Sequence, residues 1–363
     1  MLNLTMIDFV IGVLMSEFEE YKKLGEPDKR EKSEIWETAI GLQQVDGLKP
    51  SKYLIHTAKS HIEGDITFED VKNQLSSYYK EKPAKTDTEK EELEADIVSS
   101  RIAEILSENA FSLSFVELIG IHKRLFEGLF DFAGTIRNYN IEKKEWVLDG
   151  KSVTYGNYSN IKDYIEYDLQ EEKKFSYKGL NQKEVLNHIA EFTSRIWQIH
   201  AFGEGNTRTV AVFLIKYLRT LGFDIDNTLF AENSWYFRNS LVRANYVDYT
   251  NSVYATNEFL IKFLENLLFN GKNILKNRYM HIANDTVNDK VDTVNDTVKN
   301  QNDTVFSLIK QNNKITASEI SNKLGKSLAT VKRRIKDLKD RNVIDRIGSD
   351  KTGSWKILKE DEE

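Results

Sequence analysis

Apolar residues recur at helical intervals along most of this chain. Val185, Ile189, Phe192, Ile196 and Ile199 follow one another at steps of 4, 3, 4 and 3. That spacing lines side chains along one face of a helix with 3.6 residues per turn. Phe115, Leu118, Ile119, His122, Leu125 and Phe126 trace a second such stripe. Nearer the start, residues 17–21 and 33–42 are rich in helix formers, and Asp46-Gly47 and Pro50 punctuate them. Ser51 then predicts the cap of a helix reaching about residue 62. Gly64 ends that helix, and Thr67 opens another that reaches about residue 79. One stretch has a different texture. Trp146, Leu148, Asp149-Gly150, Val153 and Tyr155 predict a β-hairpin with an Asp-Gly turn.

Breaks in the pattern predict the domain organisation. Residues 81–90 are charged, contain Pro83 and hold little apolar content, which predicts a linker. It separates an N-terminal helical region, 1–90, from a main body at 95–277. Residues 283–303 repeat the tetrapeptide Asn-Asp-Thr-Val, starting at 284, 295 and 302. Valines at 287, 291, 294, 298 and 305 keep heptad steps, yet Asn, Asp and Thr make poor helix interiors. Both a polar linker and a short coiled coil fit this segment. Residues 304–358 read as three helices and a hairpin. The first covers 305–311, a Thr316-Ala-Ser-Glu319 capping box opens the second, and Ser327 caps a third carrying Val331, Ile335 and Leu338. Val343-Ile344 and residues 355–357 flank a turn at 349–353. This order resembles a winged helix-turn-helix module.

Composition narrows the function classes. The 363 residues contain no cysteine, which excludes a disulfide framework and thiol catalysis and fits a reducing, cytoplasmic setting. The early apolar run at 7–15 is interrupted by Asp8, is too short to span a bilayer and has no basic region before it. Residues 1–14 are therefore expected to be a frayed extension or an upstream start, and no membrane role is expected. The net charge of −6 hides an asymmetry. Residues 304–358 carry thirteen Lys/Arg against five Asp/Glu, a surplus of +8 that leaves −14 on the rest of the chain. Lys332, Arg333, Arg334 and Lys336 fall on the third helix of that module, with Arg346 and Lys351 on its wing. Such clusters supply phosphate contacts, so DNA is the favoured partner for 304–358, with protein contact the other reading.

Candidate chemistry concentrates in His200-Ala-Phe-Gly-Glu-Gly-Asn-Thr-Arg208, between two amphipathic segments. A Gly-rich turn opening a helix offers unpaired backbone N–H groups to an anion. Gly205 permits close approach, and Asn206 and Arg208 add donors for phosphate oxygens. Glu204 is an oxygen ligand suited to Mg²⁺. A neutral His200 at the other lip can take a proton from an attacking hydroxyl.

The segment resembles the Fic signature, His-Pro-Phe-x-(Asp/Glu)-Gly-Asn-Gly-Arg-x-x-Arg. The resemblance implies a mainly α Fic fold with a β-hairpin flap, covering roughly residues 95–275. It implies His200 as base, Phe202 as buried loop anchor and Glu204 as the Mg²⁺ ligand. Gly205, Asn206, Thr207 and Arg208 become the phosphate nest for ATP. Residues 125–134 and Arg137 resemble the family's pre-flap helix, and 146–155 the flap that holds a target peptide. The implied function is transfer of AMP from ATP to a Ser, Thr or Tyr hydroxyl of a target protein, with a homodimer compatible. Two other readings remain: a DNA-binding regulator with a nucleotide-sensing or inactive Fic body, and transfer of another phosphate-containing group.

Departures are informative. Ala201 replaces the motif proline, Thr207 replaces the second small glycine, and Ala211 stands where the second arginine would be. Arg238 and Arg243 are the candidates to compensate. Asp46-Gly-Leu-Lys-Pro50 and the segment from Gly64 resemble the small antitoxins of Fic toxin pairs. Those carry (Ser/Thr)-x-x-x-Glu-(Gly/Asn), against which Leu42 and Asp46 align here, with Glu63-Gly64 as a competing alignment. Asp46 is one methylene shorter than Glu, and Ala211 carries no charge. The expectation is that the family's inhibitory pair does not form and that residues 35–80 act by packing.

Overall fold

The computed structural model describes residues 18–225, 227–283 and 304–324, and beyond them 331, 332, 335, 338, 339, 343–347 and 354–358. The early apolar run, the valine repeat at 284–303 and the side chains of Arg333, Arg334, Lys336 and Lys351 lie outside the described residues. The chain divides into two compact units, with the boundary between Thr286 and Val287.

The first unit is helical. It contains α1 (Glu19–Leu24), α2 (Pro27–Gly41), a 3₁₀ turn at Leu42–Asp46, α3 (Lys52–Glu63), α4 (Phe68–Glu81) and α5 (Asp87–Ser107). Then follow α6 (Phe115–Phe126), α7 (Ile161–Lys174), α8 (Gln182–Ile199), α9 (Asn206–Thr220), α10 (Asn227–Ala244) and α11 (Glu258–Phe269). Local chemistry fixes the ends. The Ser51 side chain accepts from the Leu54 N–H, and Gly64 closes α3 in the left-handed region that glycine enters without cost. Thr67 with Asp70, Thr86 with Glu89 and Asn181 with Glu184 are full capping boxes.

α9 lies at the centre, with every residue from Asn206 to Leu218 buried. A helix buried all round must satisfy its polar side chains inside, and Lys216 does so by donating to the carbonyls of Ile105 and Glu108. Trp36, Ile62 and Leu75 of the N-terminal region share one core with Phe192, Trp197 and Phe237 of the body. The charged stretch at 81–90 is a short turn leading into α5 rather than a spacer between two bodies. α2 crosses α10 very closely. A Cβ on Gly41 would come 2.2 Å from Ala231 Cα, and the Ser234 hydroxyl donates to the Gly41 carbonyl.

At 146–155 the chain turns back on itself, but through a 3₁₀ turn at Trp146–Leu148 instead of the expected paired strands. Asp149 and Gly150 take positive φ there. The Glu145 N–H donates to Lys151 O and the Gly150 N–H to Glu145 O. The reason is burial: consecutive Val147 and Leu148 are both fully buried, whereas a half-buried strand alternates its faces.

In the second unit, α12 (Thr304–Gln311), α13 (Ala317–Leu324), β1 (Ile344–Ile347) and β2 (Ser354–Ile357) surround a core of Val305, Ile309, Ile320, Leu338 and Val343. The backbone is also helical at Val331, Lys332, Ile335, Leu338 and Lys339. The strands are antiparallel, with Ile344 opposite Ile357. Thr316 and Glu319 form the expected capping box. Arg346, expected on the wing, lies over the Trp355 ring at 4.4 Å.

Candidate active site

The loop joining α8 to α9 is built by its neighbours. His200 closes α8 in the left-handed conformation, φ 51°, unusual for a residue with a Cβ. Arg137 holds it there: its guanidinium donates to the carbonyls of His200, Ile199, Tyr139 and Gly156. Phe202 is buried and stacks on the His122 ring with centroids 3.7 Å apart. His122 accepts from the Gly134 N–H at Nδ1 and donates from Nε2 to the Glu204 carbonyl, which fixes a neutral tautomer. Burial pushes its pKa down to about 4. Gly205 has φ 75°, and a Cβ there would meet the Phe126 ring at 2.3 Å.

The polar side chains of the expected phosphate nest have internal partners. Asn206 accepts from the Phe202 N–H and donates to the Phe202 carbonyl, at 2.9 and 2.8 Å. The Thr207 hydroxyl accepts from Trp197 Nε1. The backbone keeps its capacity: Gly205 makes no side-chain cap, and the first N–H groups of α9 have no intrahelical acceptor. That end of α9 is where a helix favours an anion.

His200 is buried, and neither ring nitrogen has a hydrogen-bond partner. Burial first, then Lys143, Arg238 and Arg137, hold its pKa well below the usual histidine value. The imidazole is therefore neutral at pH 7. Tyr155 lies against it, ring centroids 4.1 Å apart.

Glu204 faces Lys143, whose ammonium sits 2.9 and 3.0 Å from its two carboxylate oxygens. Burial favours the neutral acid, but Lys143 and the Gly205 N–H outweigh it and keep the carboxyl ionised. A carboxylate that already draws a cation fits a metal ion. Among the described residues no group of three or more His, Asp or Glu side chains could hold one. Glu204 is the carboxylate on this loop that could serve Mg²⁺, an ion that takes one or two carboxylates and fills its sphere with phosphate oxygens and water.

Arg208 departs from expectation. It is 1% exposed, and each guanidinium nitrogen faces an acidic or amide oxygen. Nε lies 2.9 Å from Asp46 Oδ2, Nη2 lies 2.7 Å from Glu94 Oε1, and Nη1 donates to Gln43 Oε1. The family's pair with a second motif arginine is absent, as Ala211 leads one to expect, but Asp46 does find a cation in this loop. With Ala211 fully buried, the shorter carboxylate pairs with the first motif arginine instead of a second one. Glu63, from the competing alignment, pairs with Lys29.

Two family models match this chain. The Fic/DOC family model matches residues 112–218, and a winged helix-turn-helix DNA-binding model matches 305–345. Residues 112–218 form a Fic/DOC domain. The protein adenylyltransferase VbhT of Bartonella schoenbuchensis is 27% identical over 107 residues, which are 29% of this chain and 21% of that protein. The chain thus matches about a fifth of that relative's length. A Fic family protein from Desulfovibrio desulfuricans G20 aligns over 100% of this chain and 98% of its own, at 14% identity and a TM-score of 0.41.

Within the Fic/DOC domain the structure brings His200, Glu204, Gly205, Asn206, Thr207 and Arg208 onto one loop. It also adds residues from outside the loop that the sequence did not single out, Lys143, Glu145 and Glu94, and brings Tyr155 of the predicted flap against His200. Of the two candidate compensating arginines, Arg243 is buried and donates to Met280 O. Arg238 acts on His200 and lies 2.9 Å from Glu145.

Proposed function

We propose that this chain is a protein adenylyltransferase, moving AMP from ATP-Mg²⁺ to a hydroxyl of a target protein. The observation that carries the reading is His200: a buried, neutral imidazole with both ring nitrogens unpartnered, beside the open N-terminus of α9. The α9 N–H groups receive phosphate oxygens. Glu204 would hold Mg²⁺, which supplies charge neutralisation to the phosphates when bound. His200 takes the proton from the target's Ser, Thr or Tyr oxygen at a free ring nitrogen. That oxygen bonds to the α-phosphorus, the bond from the α-phosphorus to the bridging oxygen breaks, and pyrophosphate leaves.

The polar contacts of Arg208 support a restrained form of the enzyme. Asp46, Gln43 and Glu94 occupy a cation that phosphate would need. The same contacts would suit a regulator that senses nucleotide through this body, the second reading. The winged helix-turn-helix region, with its surplus of +8, fits DNA as a partner and a cytoplasmic setting. Among the described residues no helix is long and apolar enough to cross a membrane.

The test is incubation with Mg²⁺ and ATP labelled at the α- or the γ-phosphate, in the presence of cell lysate. Adenylyl transfer puts α-label, and no γ-label, on protein, and His200→Ala abolishes it. Label from the γ-phosphate, or none under any condition, would exclude the reading.

A further inference from the structure

Four cations bear on the loop electrostatically: Arg137, Lys143 and Arg238 act on His200, and Lys143 and Arg208 act on Glu204. Three are occupied in ways that bind no ligand as they stand. Arg137 spends its guanidinium on backbone carbonyls, Lys143 is shared between both oxygens of Glu204, and Arg208 is held by Asp46, Glu94 and Gln43. Arg238 differs. Its side chain is 20% exposed, and its hydrogen-bond partner among the described residues is one oxygen of Glu145, through Nη2. Nε and Nη1 remain available to a ligand.

Glu145 is an unusual place to spend a carboxylate. It is 1% exposed, and Oε2 has no hydrogen-bond partner. Burying a charge with one oxygen unanswered is costly unless the arrangement serves something else. What it does here is fix the guanidinium of Arg238 from one side, on a body that includes the 3₁₀ turn at 146–148 and α10. Tyr155, whose hydroxyl donates to Glu145, carries the same assembly onto the His200 ring. A planar guanidinium clamped at one corner presents its other donors in a fixed fork, the geometry that phosphate oxygens accept.

We infer that Arg238 is a nucleotide-phosphate contact of this site, presented by Glu145. The inference rests on the adenylyl-transfer reading and names the residue that would meet the phosphate chain beyond the loop itself. Triphosphate would bring several negative charges beside a base that must stay neutral, and Arg238 acts electrostatically on that base.

The test is calorimetric binding of adenosine, AMP, ADP and ATP to the full chain, in the wild type and with Asp46→Ala, each with and without Arg238→Gln. Circular dichroism of each variant checks folding. Arg238→Gln is expected to weaken ATP binding by roughly tenfold to a hundredfold, the loss that follows removal of a charged hydrogen bond. Adenosine binding should change by less than about twofold, and Arg238→Lys should recover part of the ATP affinity. Equal loss across all four ligands, or no loss for ATP, overturns the assignment while leaving the adenylyl-transfer reading intact. Should Arg238→Gln not fold, the Arg238→Lys series decides on the same criterion, because a lysine gives a weaker, non-forked contact. Protein that binds none of the ligands, with or without Asp46→Ala, overturns both.

Discussion

Asp46 Oδ2 lies 2.9 Å from Nε of Arg208, joining the 3₁₀ turn after α2 to the first turn of α9. The side chain of Asp46 is 23% exposed, so the pair is only partly screened from solvent. Losing it leaves Gln43 and Glu94 on the guanidinium but frees the edge that faces Asp46. Asp46→Ala is therefore expected to raise automodification with labelled ATP by more than about tenfold, roughly 1.4 kcal/mol in barrier height. Glu63→Ala, which removes a partner of Lys29 and Tyr21 away from the loop, should change it by less than about twofold. Equal rates in wild type and Asp46→Ala would show that this ion pair does not restrain the enzyme.

His200→Ala should lower transfer by about 10²–10⁴-fold while ATP binding stays within a few fold, because in the proposed reaction the imidazole acts on the attacking hydroxyl and not on the nucleotide. Single-turnover rates and a separate binding titration check the two halves. A variant that transfers AMP at the wild-type rate would remove His200 from the mechanism.

Removing the Glu204 carboxylate leaves Lys143 without that partner and, on the proposed reading, would leave Mg²⁺ without its protein ligand. Glu204→Ala is expected to weaken ATP binding in Mg²⁺ by at least about tenfold and to change metal-free binding little. Titrations in Mg²⁺ and in chelator make the comparison. The same loss in both would mean that Glu204 serves the loop rather than the metal.

Burial drives the pKa of His61 and His122 down to about 4 and that of His200 well below the usual value. The folded state thus keeps these rings neutral, while the unfolded chain takes up protons below about 6.5. Their contribution to stability is complete above that pH and is lost as pH falls from 6.5 toward 4. Each such ring costs about 1.4 kcal/mol per pH unit in that window. Urea unfolding should show lower stability at pH 5 than at pH 7, by roughly 5 kcal/mol for the three rings together. His122→Gln should flatten the slope. A flat profile in the wild type would contradict the neutral burial.

Deleting residues 304–363 should leave automodification within about twofold and abolish binding to duplex DNA. The isolated wild-type interaction should weaken steeply with salt, since affinity built on phosphate contacts falls with counterion release. DNA binding that is insensitive to salt, or that survives the deletion, would point to another surface.

Much of the helical frame could be read from local signals. Ser51, Thr67 and Thr316 cap where their side-chain chemistry demands, and the apolar stripe of α8 is the face that packs. The motif loop was visible because nine consecutive residues carry the base, the carboxylate and the helix opening together. What was not visible depends on distance or on burial. No local pattern ties Asp46 or Glu94 to Arg208, and Lys143 and Glu145 look like ordinary surface charges in the sequence. Alternation suggested strands at 146–155, and only the burial of both Val147 and Leu148 shows why a turn wins. Asn206 is legible as a polar residue in an anion loop, whereas its use as a staple for Phe202 depends on how the loop folds back on itself.

Gly41 gives the restraint on Arg208 its mechanical scale. A side chain there would collide with the Ala231 backbone, so α2 and α10 are keyed together immediately before the turn that bears Asp46. Swinging the whole N-terminal helix aside would break that crossing and the Ser234 hydrogen bond along with it. Rewinding the five residues Leu42–Asp46 would not. On the proposed reading, freeing Arg208 would therefore be a short-stroke event at a fixed pivot, confined to the turn, with the helices on either side acting as its frame.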